Sequence, residues 1–217
     1  MNLENYLNIQ EEVTLSNSKL IVVTKNQLID DVSKLYQAGC RQFAENRVQE
    51  LLKKKEQLPK DVQWHLIGSL QKNKVSQIIN FITLIHSVDS LELAVEINKR
   101  AKAIGRIVDI LLQIYISHDE TKHGFDFELL LDSLNQKKWN ELSHINIVGV
   151  MGMASFSEDK VLIASEFQFL HNCFSTLKDN YFNRSTFKEI SMGMSSDYKL
   201  ALQHGSTMVR IGSSIFA

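Results

Sequence analysis

Eight short apolar runs recur along these 217 residues, and helical patterns fill the gaps between them. That alternation constrains the fold more than any other property of the chain. Short apolar runs bounded by polar or glycine positions read as strands buried on both faces, as in a parallel sheet covered by helices. They fall near 20–24, 41–44, 63–67, 82–87, 107–116, 145–150, 187–191 and 207–211. Between them, Leu91, Ala94, Ile97, Ala101 and Ile104 repeat at helical spacing over 90–104, with Asp89 or Ser90 as cap and Gly105 as stop. Ile163, Phe167, Leu170, Phe174 and Leu177 do the same over 159–178, and Asp30 to Gly39 form a shorter helix ended by glycine. Eight strand–helix units predict an α/β chain folded as a (β/α)8 TIM barrel, shorter than the usual ~250 residues. A doubly wound open sheet is the alternative. Pro59 is the only proline and no linker divides the chain, so one domain over 1–217 is expected.

Composition excludes several classes. Formal net charge is -1, and the densest basic stretch, Lys53 to Lys60, falls at a predicted helix end where its lysines complement the dipole and stay in water. A nucleic-acid partner would need a larger basic surface. No apolar stretch reaches the roughly 20 residues of a membrane span, and the polar N-terminus is no signal peptide. Cys40 and Cys173 are isolated, which fits buried thiols in a reducing cytoplasm, and the seven histidines do not cluster at zinc-ligand spacing.

The chemistry concentrates at the predicted C-terminal strand ends, where barrels of this kind carry their sites. Lys25 follows the buried run Leu20 to Thr24. A desolvated amine there would be neutral and nucleophilic, the state a Schiff base needs. The alternative is a solvated strand-end lysine. Ser191, Gly193, Ser195 and Ser196 form one hydroxyl- and glycine-rich wall and Gly212 with Ser213 another, which suits a phosphate dianion. The alternative is that Ser195 or Ser196 merely caps the short helix at 197–203. An amine that can hold an aldehyde beside loops that can hold a phosphate points to pyridoxal 5'-phosphate (PLP). Arg210, flanked by apolar residues, would then face the pyridine nitrogen, keep it unprotonated and weaken the ring as an electron sink; otherwise it is a structural ion pair. Asn46 is either a contact to the cofactor or the cap of the helix beginning near Glu45. His65 reads as a satisfied core histidine, Lys122 as a loop charge or a second amine at the mouth, and Met151 and Met153 as barrel-lining, with Met153 against the cofactor.

Taken together, "IVVTKN", "FAENRVQE", "WHLIGSLQKNKV", "HSVDSLELA", "LLQIYISHDETKHGF", "GVMGMAS" and "SMGMSSDYKLALQHGSTMVRIGSSIFA" resemble the YggS/PROSC family of pyridoxal phosphate homeostasis proteins. The resemblance runs from about Leu20 to the C-terminus. It implies a fold like the barrel domain of alanine racemase standing alone (fold type III), with Lys25 holding PLP as an internal aldimine. It further implies Arg210 at the pyridine nitrogen, Asn46 lining the ring, and Ser191, Ser195, Gly212 and Ser213 near the phosphate. The chain departs from the pattern at Ala44, where the family has glycine, and at Ser69, where it often has proline. The segment before Lys25 is shorter than usual, so a curtailed first helix is expected.

Racemisation needs two bases on opposite faces of the bound amino acid. In the racemases the second comes from an added domain of a partner subunit, and the chain ends just after its eighth strand. The expectation is therefore a monomeric PLP carrier or regulator without turnover, passing PLP to apo-enzymes. The alternatives are a weak PLP-dependent racemase or transaminase, and a Schiff-base aldolase without PLP.

Overall fold

A computed structural model describes residues 1–117, 123–136 and 139–217. The strands are β1 (Lys19–Val23), β2 (Gln42–Glu45), β3 (Gln63–Leu66), β4 (Leu84–Val88), β5 (Val108–Gln113), β6 (Ile145–Met151), β7 (Glu189–Ser191) and β8 (Met208–Ile211). They pair in sequence order, all parallel, and β1 closes on β8 with Lys19 opposite Met208 and Val22 opposite Ile211. The sheet is thus a closed barrel rather than an open doubly wound sheet. Each expected strand lies where its apolar run predicted it.

The helices among the described residues are α1 (Leu3–Leu15), α2 (Ile29–Gln37), α3 (Val48–Gln57), α4 (Val75–Ile78), α5 (Leu91–Ala103), α6 (Phe127–Asn135), α7 (Lys160–Asn180), α8 (Tyr198–Gln203) and α9 (Ser213–Phe216). Ser90, not Asp89, caps α5, its hydroxyl accepting from the Leu93 N–H at 3.3 Å. Asp159 caps α7 through the N–H groups of Val161 and Leu162. The first helix is not curtailed: α1 runs 13 residues, capped by Asn2, and buries Tyr6, Ile9 and Val13.

Two apolar layers result. A small cluster including Ile21, Ala44, Leu84, Leu111, Met151 and Met208 fills part of the barrel. A larger one joins the strands' outer faces to the helices. The barrel interior also holds polar side chains, His65, His86, Ser191 and Arg210, all at most 3% exposed. Burying such groups is costly unless they are hydrogen-bonded, so they report a network.

One sequence expectation inverts. Lys53, Lys55 and Lys60 are exposed, but Lys54 is buried. It shares the inward face of α3 with Val48 and Leu51, and its Nζ reaches Glu45 Oε1 and the Thr24 carbonyl at 2.5 Å each.

Candidate functional site

The loops after the strands enclose a cavity of ≈ 560 Å³ at the C-terminal end of the barrel. Of the residues singled out in the sequence, Lys25, Asn46, Met153, Ser195, Arg210, Gly212 and Ser213 line it. Ser191 does not. It is fully buried one layer below, where its Oγ accepts from Arg210 Nη1 at 2.7 Å and lies 2.9 Å from His86 Nδ1. Lys122 lies outside the described residues.

Lys25 sits where β1 turns away from the barrel. The next residue, Asn26, has φ 61°, a left-handed conformation that asparagine tolerates better than most residues. Lys25 is exposed on the cavity side, so the burial invoked for it from the sequence is absent. The buried amine near this strand end is Lys54. Its bond to the Thr24 carbonyl, with the Thr24 hydroxyl donating to Glu45 Oε1 at 2.6 Å, clamps the peptide directly before Lys25.

Asn46 follows β2 and is not a helix cap: α3 begins at Val48 with Arg47 in the cap position and no side-chain cap bond. Its backbone is held close to β3's end. A Cβ on Gly68 would lie 2.2 Å from the Asn46 carbonyl oxygen, so only glycine allows that approach.

The two loops predicted to flank a phosphate meet. Ser195 Oγ accepts from the Gly212 N–H at 3.3 Å and the Ser214 N–H at 3.4 Å. Neither Ser195 nor Ser196 caps α8. Asp197 occupies that position, and its Oδ1 accepts from the Met194 N–H at 2.5 Å. Gly212 also packs against the lysine strand, since a Cβ there would lie 2.9 Å from the Val23 carbonyl oxygen. Two backbone N–H groups thus converge on the Ser195 hydroxyl oxygen at the cavity rim, an N–H cluster of the kind that binds oxyanions.

Arg210 points up from β8 and is held by neutral acceptors, Ser191 Oγ and, at 3.0 Å through Nη2, the Gly152 carbonyl. Burial lowers its guanidinium to about 10, opposed by the charge of Asp197, so it stays a cation at neutral pH. Below it the chain of contacts continues: His86 Nε2 lies 2.9 Å from His65 Nδ1. Burial pushes His65 down to about 3 and His86 well below the ordinary histidine range, and both rings are neutral. His65 is a core histidine as expected, but it is not satisfied, because its Nε2 has no partner among the described residues.

Sequence reasoning did not single out His86, Gln113, Phe156, His123 as a cavity residue, or the Ser214 N–H. His86 shares the inward face of β4 with Leu84, but the strand is buried at every position, so no alternation in the sequence marks that face. Gln113 lines the cavity and donates to the His123 carbonyl at 2.6 Å. Phe156, at the rim, is 97% exposed.

A parallel eight-stranded barrel with a strand-end lysine, an inward arginine and a rim where backbone N–H groups gather has the architecture of a racemase-type barrel. The chain belongs to the alanine racemase N-terminal domain family, whose model matches residues 3–217, and within it to the pyridoxal phosphate homeostasis proteins. It is 37% identical over 203 residues to the pyridoxal phosphate homeostasis protein of Synechocystis sp., covering 91% of this chain and 90% of that one. The Schizosaccharomyces pombe protein of that name is 35% identical, covering 96% of this chain and 87% of its own. Among solved structures, PipY of Synechococcus elongatus with PLP bound superposes with TM-score 0.89 at 32% identity over 99% of each chain. An alanine racemase of Clostridium difficile matches with TM-score 0.75 at 18% identity, covering 99% of this chain and 56% of that one, a likeness of fold.

Proposed function

We propose that this chain binds PLP in the upper cavity, held as a Schiff base on Lys25, and serves intracellular PLP (vitamin B6) homeostasis rather than a turnover reaction. The observation that carries the reading is the meeting of three groups in one cavity: the Lys25 amine, the Arg210 cation and the Ser195–Gly212–Ser214 donor set. Relatives named for PLP homeostasis and a PLP-bound structural neighbour support it. PLP supplies an aldehyde, an electron-withdrawing ring and a phosphate. Lys25 would hold the aldehyde through its amine. Ser195 and the N–H groups of Gly212 and Ser214 would hold the phosphate. Arg210 would stand toward the pyridine nitrogen as a cationic donor, which would keep that nitrogen an acceptor and disfavour deep carbanion chemistry. Asn46 and Met153 bound the ring. Ser191 acts through Arg210 instead of touching the phosphate.

In this reading the protein is a monomer in the cytoplasm that buffers a reactive aldehyde and hands it to apo-enzymes. No helix among the described residues is long and apolar enough to cross a membrane. The test is reconstitution with PLP followed by transfer. A visible band that Lys25→Ala loses is expected, and apo-enzyme activity should return faster from the loaded protein than from an equal amount of free PLP. Equal rates would remove the delivery part, and no visible band would remove PLP itself. A second reading, a weak racemase or transaminase, draws on His123, an imidazole on the cavity wall. It requires solvent deuterium to appear at the α-carbon of an amino acid in a Lys25-dependent way.

A further inference from the structure

A second cavity, of ≈ 600 Å³, lies at the opposite, N-terminal mouth of the barrel. It shares no lining residue with the upper one. Its charged lining residues are Lys19, Asp109, Lys188 and Glu189. Lys19 and Glu189 neutralise each other at 2.6 Å, and Thr207 also donates to Glu189. Asp109 accepts only from a neutral donor, the Asn146 amide, at 2.9 Å, and Lys188 forms no ion pair among the described residues. One cation and one anion of the wall are therefore uncompensated by each other or by a neighbour.

The wall of this cavity also contains His65, 3% exposed, with its Nε2 buried and unpartnered. The direction of the hydrogen bonds above it follows from Arg210. A guanidinium can only donate, so Ser191 Oγ is an acceptor at that contact. Buried, the Ser191 hydroxyl proton needs an acceptor of its own, and the one in reach among the described residues is His86 Nδ1, 2.9 Å away. That makes His86 the Nε2–H tautomer, which donates to His65 Nδ1 at 2.9 Å. His65 in turn carries its proton on Nε2. That nitrogen diverges from Nδ1 across the ring and so faces away from His86, in a residue that lines the lower cavity. Every bond in the column points from the cofactor cavity to the base, and the last donor is unused.

We propose that the N-terminal mouth of the barrel is a second ligand site for a small zwitterion bearing a carboxylate, of which an α-amino acid is the simplest chemical class, and that the His65–His86–Ser191–Arg210 column couples it to the cofactor cavity. The carboxylate accepts from His65 Nε2–H and lies near Lys188; the ammonium meets Asp109. An acceptor at the foot polarises each bond above it, so Ser191 Oγ becomes a stronger acceptor and holds Arg210 more firmly. Coupling between the sites is reciprocal: the ligand changes PLP affinity by the factor by which PLP changes its own. The expected factor is about two to five, the small end for a chain of neutral hydrogen bonds. The lower site itself does not depend on the PLP reading; only the coupling does.

The experiment uses the full chain labelled with ¹⁵N-histidine, with and without PLP, and glycine as the probe. Ring ¹⁵N signals are assigned with His65→Gln and His86→Gln. Both rings are expected in the Nε2–H form, and glycine should shift His65 Nε2 saturably. Acetate, which lacks the ammonium, should act at higher concentration. Asp109→Asn and Lys188→Met should each weaken the glycine response at least tenfold, with unchanged ring tautomers showing that the barrel is folded. A His86 proton on Nδ1 would overturn the column's direction. A glycine effect no larger than that of equimolar sodium chloride would overturn the site and leave a hydrated mouth. A saturable glycine shift in the PLP-free protein with no change in PLP affinity would retain the site and overturn the coupling.

Discussion

The two mouths of the barrel are made from the same eight strands and differ in what faces inward. At the C-terminal mouth the lining comes from loops: backbone N–H groups, Ser195, and glycines that allow close approach. The strong charge pair there, Lys54 with Glu45, is turned out of the cavity and braces β1 and β2 from behind. At the N-terminal mouth the lining comes from strand beginnings, and Lys19 and Glu189 pair across the opening itself. A mouth built from loops can hold donors converging on a ligand because its ion pairs lie elsewhere. A mouth built from side chains neutralises much of its own charge.

The largest effect expected from this contrast is on stability. Lys54→Met leaves the Glu45 carboxylate buried without its cation and should cost about 3–5 kcal/mol, read by urea denaturation, with Glu45→Leu in the same chain recovering most of it. Lys19 is 44% exposed and its partner Glu189 7%, and Thr207 remains a donor to that carboxylate, so Lys19→Met should cost less, about 1–2 kcal/mol. Equal losses from the two would erase the distinction between the mouths.

Next is ligand affinity. Ser195→Ala removes the hydroxyl at which the two rim loops meet. It should weaken PLP binding about 10- to 100-fold in a spectrophotometric titration, the range for one hydrogen bond to a charged group. An unchanged affinity would place the phosphate elsewhere.

At neutral pH the column between the mouths contributes least, and its effect emerges on acidification. An unfolded histidine takes up a proton below about pH 6.5. His65 in the fold does so only near 3, and burial holds His86 well below the ordinary histidine range as well. Between those values the unfolded chain binds more protons, so stability falls as pH falls, by up to about 1.4 kcal/mol per pH unit for each histidine. Above pH 6.5 the two contribute no pH dependence. The His65→Leu/His86→Leu double variant should lose that part of the slope between pH 6 and 4. A slope identical to the parent protein would mean that the rings protonate in the fold.

The barrel was legible in the sequence because parallel strands covered on both faces are continuous apolar runs. The cavity wall was legible because glycines and hydroxyls gather at the ends of those runs. The two lysines were read the wrong way round. Lys25 looked buried because it follows a buried strand, but the chain turns outward at Asn26. Lys54 looked solvated because it lies in a basic stretch, but it falls on the Val48–Leu51 face of α3. Ser191 was placed at the rim from its neighbours in the chain. Its actual partners, His86 and Arg210, are 105 and 19 residues away, the first reached across the barrel interior and the second on the neighbouring strand β8. His86 lies in a strand buried at every position, so neither its inward side nor the column it belongs to shows in the sequence.

The central claim is that Lys25, and no other amine, carries the cofactor. It is tested most directly by loading the protein with PLP, reducing it with borohydride and locating the phosphopyridoxyl group by peptide mass spectrometry. A single modified site at Lys25, absent in Lys25→Ala, is the result the account predicts. Modification spread over exposed lysines, or persisting at another lysine when Lys25 is replaced, would contradict it.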